Sequence, residues 1–154
     1  MENKPIKRHP NMQPLSREHH TGLLFCWKIR TGIKQHVALS RITDYAKWFW
    51  GAHLLQHFET EEAFLFPILG NNNTLVAQAL LEHNQLKQKF NDSNWDENLL
   101  ASIADLLEQH IRFEERVLFN EIENVANESQ MRVLSEHTHD FCETWPDEFW
   151  KEKH

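Results

Sequence analysis

Apolar residues recur along the chain at the three- and four-residue spacing of amphipathic helices, and no stretch alternates with a period of two. Ser16 and Ser40 are suitable N-cap residues, and Pro67 and Pro146 end two of the apolar patterns. The pattern predicts five helices, which run over about Ser16 to Gly32, Arg41 to Phe66, Leu75 to Phe90, Glu97 to Val125 and Glu128 to Trp145. Because the connections between the first four are short, neighbouring helices should be antiparallel. The sequence therefore predicts an all-α fold, an up-down-up-down four-helix bundle with a short C-terminal fifth helix.

The length of 154 residues is typical of one domain, and residues 1–154 are interpreted as such. Residues 1–14 contain three prolines and little apolar content, which predicts an extended N-terminal arm. Residues 15–125 form the predicted bundle core, and residues 126–154 form the C-terminal helix and tail. A chain of this size buries about 70% of its unfolded surface, so it can build a core without disulfides.

The net charge, the apolar content and the cysteines argue against several classes of function. The net charge of −7 argues against binding to nucleic acid or to an anionic membrane surface. No apolar run approaches the ~18 residues of a membrane span, and the N-terminal segment is too polar for a signal peptide. Cys26 and Cys142 are isolated, so they give neither a disulfide framework nor a thiolate metal site. We expect a cytoplasmic protein with neither nucleic acid nor membrane as partner; the oligomeric state stays open.

The chain contains 11 histidines, and imidazole is the commonest metal ligand in proteins. At about 100° per residue, each of the first four helices places a histidine within its apolar stripe: His19, His57, His83 and His110. His20 lies near the edge of the first stripe and is the alternative to His19. His53 also faces inward, and we interpret it as a residue that packs or hydrogen-bonds behind the metal ligands.

Two glutamates share these apolar stripes. Glu61 and Glu114 each follow a stripe histidine by one helical turn, so one helix can present an imidazole and a carboxylate to the same site. A buried carboxylate without a partner costs several kcal/mol, and a bound cation removes that cost. The next glutamates fall outside the stripes and are interpreted as solvated, with a hydrogen bond to a ligand histidine as the alternative: Glu62 and Glu115.

The chain also contains an internal repeat. The segment HFETEEAFLF (57–66) aligns with HIRFEERVLF (110–119) at an offset of 53 residues. Each segment is preceded by a helix that carries a Glu-His dipeptide, at 18–19 and at 82–83. This pattern indicates two similar half-sites around one centre, and it favours His19 over His20.

The segments LSREHH (15–20), HFETEEAFLFP (57–67), EH (82–83) and HIRFEERVLF (110–119) resemble the hemerythrin-like, HHE cation-binding domain family over roughly residues 15–125. The resemblance implies a non-haem di-iron centre with bridging carboxylates and an oxo or hydroxo bridge. Carried over to matching positions, it implies these metal ligands: His19, His57, Glu61, His83, His110 and Glu114. Imidazole and carboxylate donors suit iron, manganese or zinc, and the resemblance selects iron.

The sequence departs from oxygen-carrying hemerythrins in two ligands: the last carboxylate, Glu114, is a glutamate rather than the shorter aspartate, and one histidine is missing. Those proteins have a second histidine one turn from the third-helix ligand, where this chain has Ala79 and Lys87. We therefore expect a protein that binds or senses a small ligand such as dioxygen or nitric oxide, or that holds iron. The alternatives are a di-iron oxidoreductase that turns over peroxide or nitric oxide and a metal-stabilised interaction module. The sequence contains no flavin, haem or CxxC motif, which favours binding over turnover.

Overall fold

The computed structural model describes residues 7–70, 72–138 and 141–152, and every regular element within them is helical. The prediction of an all-α fold is confirmed for this part of the chain. Two helices are uninterrupted, α1 (Gln13–Lys34) and α3 (Thr74–Phe90), and a short helix, α5 (Glu128–Glu136), follows the others. Two longer helices are composite: α2 (39–69) and α4 (97–125). No described helix is long and apolar enough to cross a membrane.

The composite helices contain wider, π-helical turns. In α2 these turns are Trp50–Leu54 and Glu61–Leu65, and in α4 the turn is Glu114–Leu118. A π turn holds one residue more than an α turn and is frequent at functional sites. The turns that begin at Glu61 and Glu114 are 53 residues apart, so the structure reproduces the sequence repeat.

The N-terminal segment is more structured than the sequence predicts. α1 begins at Gln13 rather than Ser16, and it is preceded by a 3₁₀ turn over Pro10–Met12. Pro10 is the first residue of the 3₁₀ turn and Pro14 the second residue of α1, positions in the first turn where a missing N–H group costs nothing. Met12 and Arg8 are buried. The prediction of an extended arm over residues 1–14 is therefore wrong from Pro10 onward, where the chain is helical, whereas residues 7–9 form no helix. Residues 1–6 lie outside the described residues.

The C-terminal segment is less helical than predicted. α5 begins at Glu128 as expected but ends at Glu136, not at Trp145. Residues 141–148 are not helical and lie against α1 and α2, where the Tyr45 hydroxyl donates to Glu143 at 2.6 Å. Phe149 is fully buried beside Gly32, at which a Cβ atom would lie 2.7 Å from the Phe149 ring. These long-range contacts outweigh the local preference for a helix over residues 141–145. Residues 139–140 and 153–154 of the predicted tail are outside the described residues.

The buried side chains form two apolar clusters with a polar layer between them. One cluster contains Phe25, Leu54, Leu86 and Leu107, and the other contains Leu15, Leu65, Ala79 and Leu118. Each of the four long helices contributes to both clusters. Between its two contributions, each helix carries the residues of the polar layer, which are His19, His57, Glu61, His83, His110 and Glu114. The helices pack as the amphipathic pattern requires; their alternating up-and-down order stays a prediction.

Candidate metal centre

The polar layer contains the six residues that the sequence singled out as metal ligands. None exposes more than 4% of its surface, and Glu61, His110 and Glu114 expose none. α1 and α3 each supply one histidine, whereas α2 and α4 each supply a histidine and, one turn later, the glutamate that begins a π turn. The structure thus brings all six side chains together, and their role as ligands stays a prediction.

Potential ligand atoms in the polar layer form two groups. His19 and His57 belong to one group and His83 and His110 to the other, and both groups contain Glu61 and Glu114. Within each group the ligand atoms all lie within 4.8 Å of one another. Each group could hold one metal ion. Because the two glutamates are shared, they stand where carboxylates that bridge two ions would stand.

The glutamates contact histidines on both sides of the layer. Glu114 Oε1 lies 2.9 Å from His19 Nε2 and 3.1 Å from His110 Nε2. Glu61 Oε1 lies 3.1 Å from His83 Nε2, and Glu61 Oε2 lies 3.4 Å from His57 Nε2. All four histidines therefore direct Nε2, rather than Nδ1, toward the two carboxylates.

The Nδ1 atoms of the four histidines face outward, each to a further carboxylate. Every one of these Nδ1–carboxylate distances is 2.8 Å. The pairs are His19 with Glu115, His57 with Glu18, His83 with Glu62 and His110 with Glu82. An ionised carboxylate only accepts, so each Nδ1–H donates and each neutral ring keeps its Nε2 lone pair for the centre. Carboxylates in this position orient histidine ligands and make them better donors to a metal.

These outer contacts follow the repeat. Glu18 and Glu82, from the Glu-His dipeptides, support His57 and His110, the histidines of their own half. The glutamates after the predicted ligands support the dipeptide histidine of the other half, as Glu62 does for His83. The interpretation of Glu62 and Glu115 as merely solvated is therefore wrong, since each forms a hydrogen bond with a histidine of the polar layer, as the alternative interpretation expected. Sequence analysis missed Glu18 and Glu82, although their recurrence before a histidine was a signal.

The polar layer has the properties that a bound cation requires. Both oxygens of Glu61 and Oε2 of Glu114 are buried and have no hydrogen-bond partner. His83 Nε2 and His110 Nε2 lie 3.1 Å apart, so two neutral rings would direct their lone pairs at each other. A buried acceptor without a donor costs about 1–3 kcal/mol. Cations between these atoms would satisfy the oxygens and the nitrogens together, so the residues present fit a metal pair.

Protons take the place of a cation in the metal-free protein. Burial by itself lowers the pKa of His57, but Glu61 and Glu18 outweigh it and raise that pKa to about 10. Burial likewise opposes the charge on His110, and Glu114 and Glu82 raise its pKa to about 9. Glu61, despite its burial, has a pKa held well below the usual value by His57 and its neighbours. His57 and His110 therefore carry protons at neutral pH when no metal is bound, and the ionised Glu61 balances part of their charge.

The two remaining histidine candidates lie outside the two groups. His20 is exposed, one residue's rotation away from the buried His19. His53 is 5% exposed and stacks on the Phe141 ring, with the ring centroids 4.3 Å apart. Burial, helped by repulsion from His57, lowers the pKa of His53 to about 4, so this ring is neutral at neutral pH.

Comparison with known families agrees with this geometry. Residues 15–119 match the family model described as the hemerythrin HHE cation-binding domain. The chain belongs to this family. No curated protein and no solved structure is significantly similar to the chain. The matched part of this hemerythrin-like domain contains all six side chains of the polar layer.

The outer carboxylates of the hemerythrin-like domain give a direct prediction. Removing Glu82 frees the His110 ring to rotate, and removing Glu18 does the same to His57. Glu82→Ala and Glu18→Ala are each expected to weaken metal binding about 10–100-fold. The measurement is a competition titration against a chromophoric chelator, with the exposed Glu59→Ala as the matched control. Affinities equal to the control would contradict a supporting role for these carboxylates.

Proposed function

We propose that this hemerythrin-like protein holds two metal ions, with iron as the native metal, and that it binds or senses a small ligand such as dioxygen or nitric oxide. Glu61 and Glu114 would bridge the two ions, one held by His19 and His57 and the other by His83 and His110. The observation that carries the proposal is that both groups of potential ligands share the same two glutamates. Inward-facing glutamates and histidines on bundle helices are a known way to hold two metals.

The donor set favours an open, reactive pair of ions over a closed structural site. Four histidines and two bridging carboxylates fill about eight positions, whereas two five- or six-coordinate ions need about ten to twelve. The remaining positions are available to a bridging oxygen species and to an exogenous ligand. A non-haem iron pair would supply reversible one-electron chemistry and an affinity for diatomic ligands there. Manganese and zinc fit the same donors, so the metal must be identified experimentally.

Burial of the polar layer favours a diatomic or peroxide-sized ligand. Phe58 stacks on His83 with centroids 3.8 Å apart, and Phe119 stacks on His19 at 4.9 Å. Phe66 packs against His83 from a second direction, at 5.3 Å. These rings exclude bulk water from the centre, so a ligand larger than a few atoms would have to open the helices apart. A nonpolar enclosure also strengthens every electrostatic contact within it.

Reversible binding is favoured over turnover because catalysis with peroxide or nitric oxide needs a proton donor close to the open position. His53 adjoins the layer, with its ring centroid 6.1 Å from that of His57, but its pKa near 4 leaves it without a proton to give at neutral pH. The two alternative functions are an oxidoreductase and a metal-stabilised interaction module. Metal reconstitution followed by spectroscopy distinguishes both from reversible binding.

The test is metal reconstitution followed by spectroscopy. Metal-free protein loaded anaerobically with ferrous iron is expected to retain about two ions per chain by elemental analysis. Addition of dioxygen, nitric oxide or peroxide should then give a stable change in the absorption spectrum. Repeated consumption of the added ligand would instead identify an oxidoreductase, and metal binding without any ligand response would identify a structural module. Absence of retained metal would overturn the proposal.

A neighbouring pair of residues provides a matched control for this test. His19 lies in the polar layer, whereas His20 is exposed on the same helix. His19→Ala should lose one ion or alter its spectrum, and His20→Ala should keep the metal content of the unaltered protein. The reverse result would mean that α1 presents a different face to the metals.

A further inference from the structure

A buried arginine connects the N-terminal segment to the polar layer. The side chain of Arg8 is 5% exposed, and among the described residues Arg8 is the one buried arginine. Its guanidinium donates to Glu115 Oε2 at 3.0 Å, to the Glu115 carbonyl oxygen at 2.8 Å and to Asn120 Oδ1 at 3.1 Å. It also forms an ion pair with Glu123. Four acceptors on α4 therefore fix this guanidinium in one position.

Arg8 acts on His19 through Glu115. While Glu115 Oε2 accepts from Arg8, Glu115 Oε1 accepts from His19 Nδ1 at 2.8 Å. The same guanidinium lies 5.4 Å from the centroid of the Phe119 ring, which stacks on His19. The carboxylate and the ring that border His19 are thus both held by one residue. The buried guanidinium of Arg8 needs an ionic partner, and the half-buried carboxylate of Glu115 is one of the two that it has.

Among the described residues, the other half of the repeat has no buried arginine beside its outer carboxylate. Glu62 is the counterpart of Glu115 at the offset of 53, and it supports His83 in the same way. The Glu62 side chain is 45% exposed, against 25% for Glu115. Because Arg8 is the one buried arginine of the described residues, no second buried guanidinium stands behind Glu62. The two halves have equivalent potential ligands, but Glu115 is held by Arg8 whereas Glu62 is more exposed.

We propose that Arg8 is a positioning residue of the metal centre and makes its two halves unequal. It holds Glu115, which orients His19 toward the ion shared with His57, whereas the ion of His83 and His110 lacks this support. The inference rests on the proposed function, since it assigns a role in metal binding. One ion is therefore held in a preorganised position, and loss of Arg8 weakens one of the two binding steps and leaves the other unchanged.

The experiment is a titration of metal-free protein with Co²⁺, followed by calorimetry and by the visible ligand-field bands of the bound ions. Arg8→Met keeps an unbranched apolar stem and removes the guanidinium. One dissociation constant is expected to rise about 10–100-fold, with the bands of one ion shifted and the other step unchanged. Arg8→Lys, which can reach one Glu115 oxygen but cannot also contact the other acceptors, should restore part of the loss.

Two controls separate positioning from general stability. Arg30→Met removes a surface arginine of α1 whose side chain is 40% exposed and pairs with Asp105 and Glu108. Glu123→Gln removes one charge beside Arg8 but leaves its three other acceptors, on Glu115 and Asn120, and the Glu115–His19 contact in place. Both controls should bind two ions as the unaltered protein does.

The outcomes distinguish the two proposals. Two unchanged binding steps in Arg8→Met overturn the positioning role and leave the metal centre intact. Equal weakening of both steps, matched by Glu123→Gln, would mean that Arg8 only anchors the N-terminal segment, and it overturns the role as well. Failure of the unaltered protein to bind Co²⁺ overturns the proposed function itself. If Arg8→Met does not fold, the same steps measured in Arg8→Lys decide the question.

Discussion

Replacing Glu61 or Glu114 with glutamine is expected to reduce the metal content from about two ions per chain to one or none. Both carboxylates are completely buried and belong to both groups of potential ligands. If they bridge two ions as proposed, each replacement deprives both ions of a negatively charged donor. Glutamine keeps the volume of the side chain, which separates loss of charge from loss of packing. Elemental analysis after iron reconstitution measures the effect.

The same replacements should also destabilise the metal-free protein. There, the histidinium rings of the polar layer are balanced by the two glutamates, and removing one partner of a buried ion pair costs about 3–5 kcal/mol. Denaturant unfolding of metal-free Glu61→Gln and Glu114→Gln gives this quantity. The exposed Glu59→Gln and Glu121→Gln are matched controls on the same helices. Metal content and stability equal to these controls would show that the two glutamates neither bridge nor balance charge.

Metal removal is expected to lower the melting temperature, and the drop should widen as the pH rises from about 6 to 9. An ion that binds only the folded chain, at a concentration 100 times its dissociation constant, contributes about 2.7 kcal/mol. For a domain of this size that corresponds to roughly 5–10 °C. Calorimetric melting of metal-loaded and chelator-treated protein across this pH range measures the difference.

The pH dependence follows from the direction of the histidine pKa shifts. The folded, metal-free protein raises the pKa of His57 to about 10 and that of His110 to about 9, above the ordinary value of 6.5. Their stabilising contribution is therefore complete below pH 6.5 and is lost as the pH rises through 9 to 10. Metal binding requires the deprotonated rings, so it strengthens over the same interval. A rise in pH therefore destabilises the metal-free protein and strengthens metal binding, so the difference in melting temperature between the two forms increases.

Proton release provides an independent check of this account. At pH 7 the metal-free protein holds protons on His57 and His110, and both must leave when Nε2 binds a metal. Calorimetric titrations in buffers of different ionisation enthalpy should therefore report at least two protons released per pair of ions. A melting difference that stays constant with pH, or binding without proton release, would contradict protonated histidines in the metal-free layer.

The sequence alone determined the helical framework and the membership of the polar layer. Helical periodicity is a local property, so a histidine or glutamate in the apolar stripe of its own helix must face the interior. That argument placed His83 and Glu114 inside before any packing was known, and the offset of 53 residues indicated two similar halves. Both residues are buried in the structure, at 2% and 0% exposure.

The prediction of the buried face from helical periodicity is wrong where α4 changes from an α-helical to a π-helical turn. At about 100° per residue, Val117 and Leu118 both fall on the apolar stripe that contains Glu114. In the structure Leu118 is buried, but Val117 is 43% exposed and Phe119 is buried instead. The π turn that begins at Glu114 adds a residue and rotates everything after it. A fixed angle of 100° per residue does not contain that extra residue, so the predicted face is wrong after the turn.

Only the tertiary structure decided which groups contact the outer side of the polar-layer histidines. The partner of His19 is Glu115, 96 residues away, and behind Glu115 stands Arg8, which sequence analysis assigned to an extended arm. The C-terminal segment likewise leaves its helical pattern because Phe149 fits beside Gly32. A one-dimensional pattern reports the face on which a side chain lies, but not the residues it meets across the helix interface. Those contacts join residues far apart in the chain, and their energies exist only after the helices have packed.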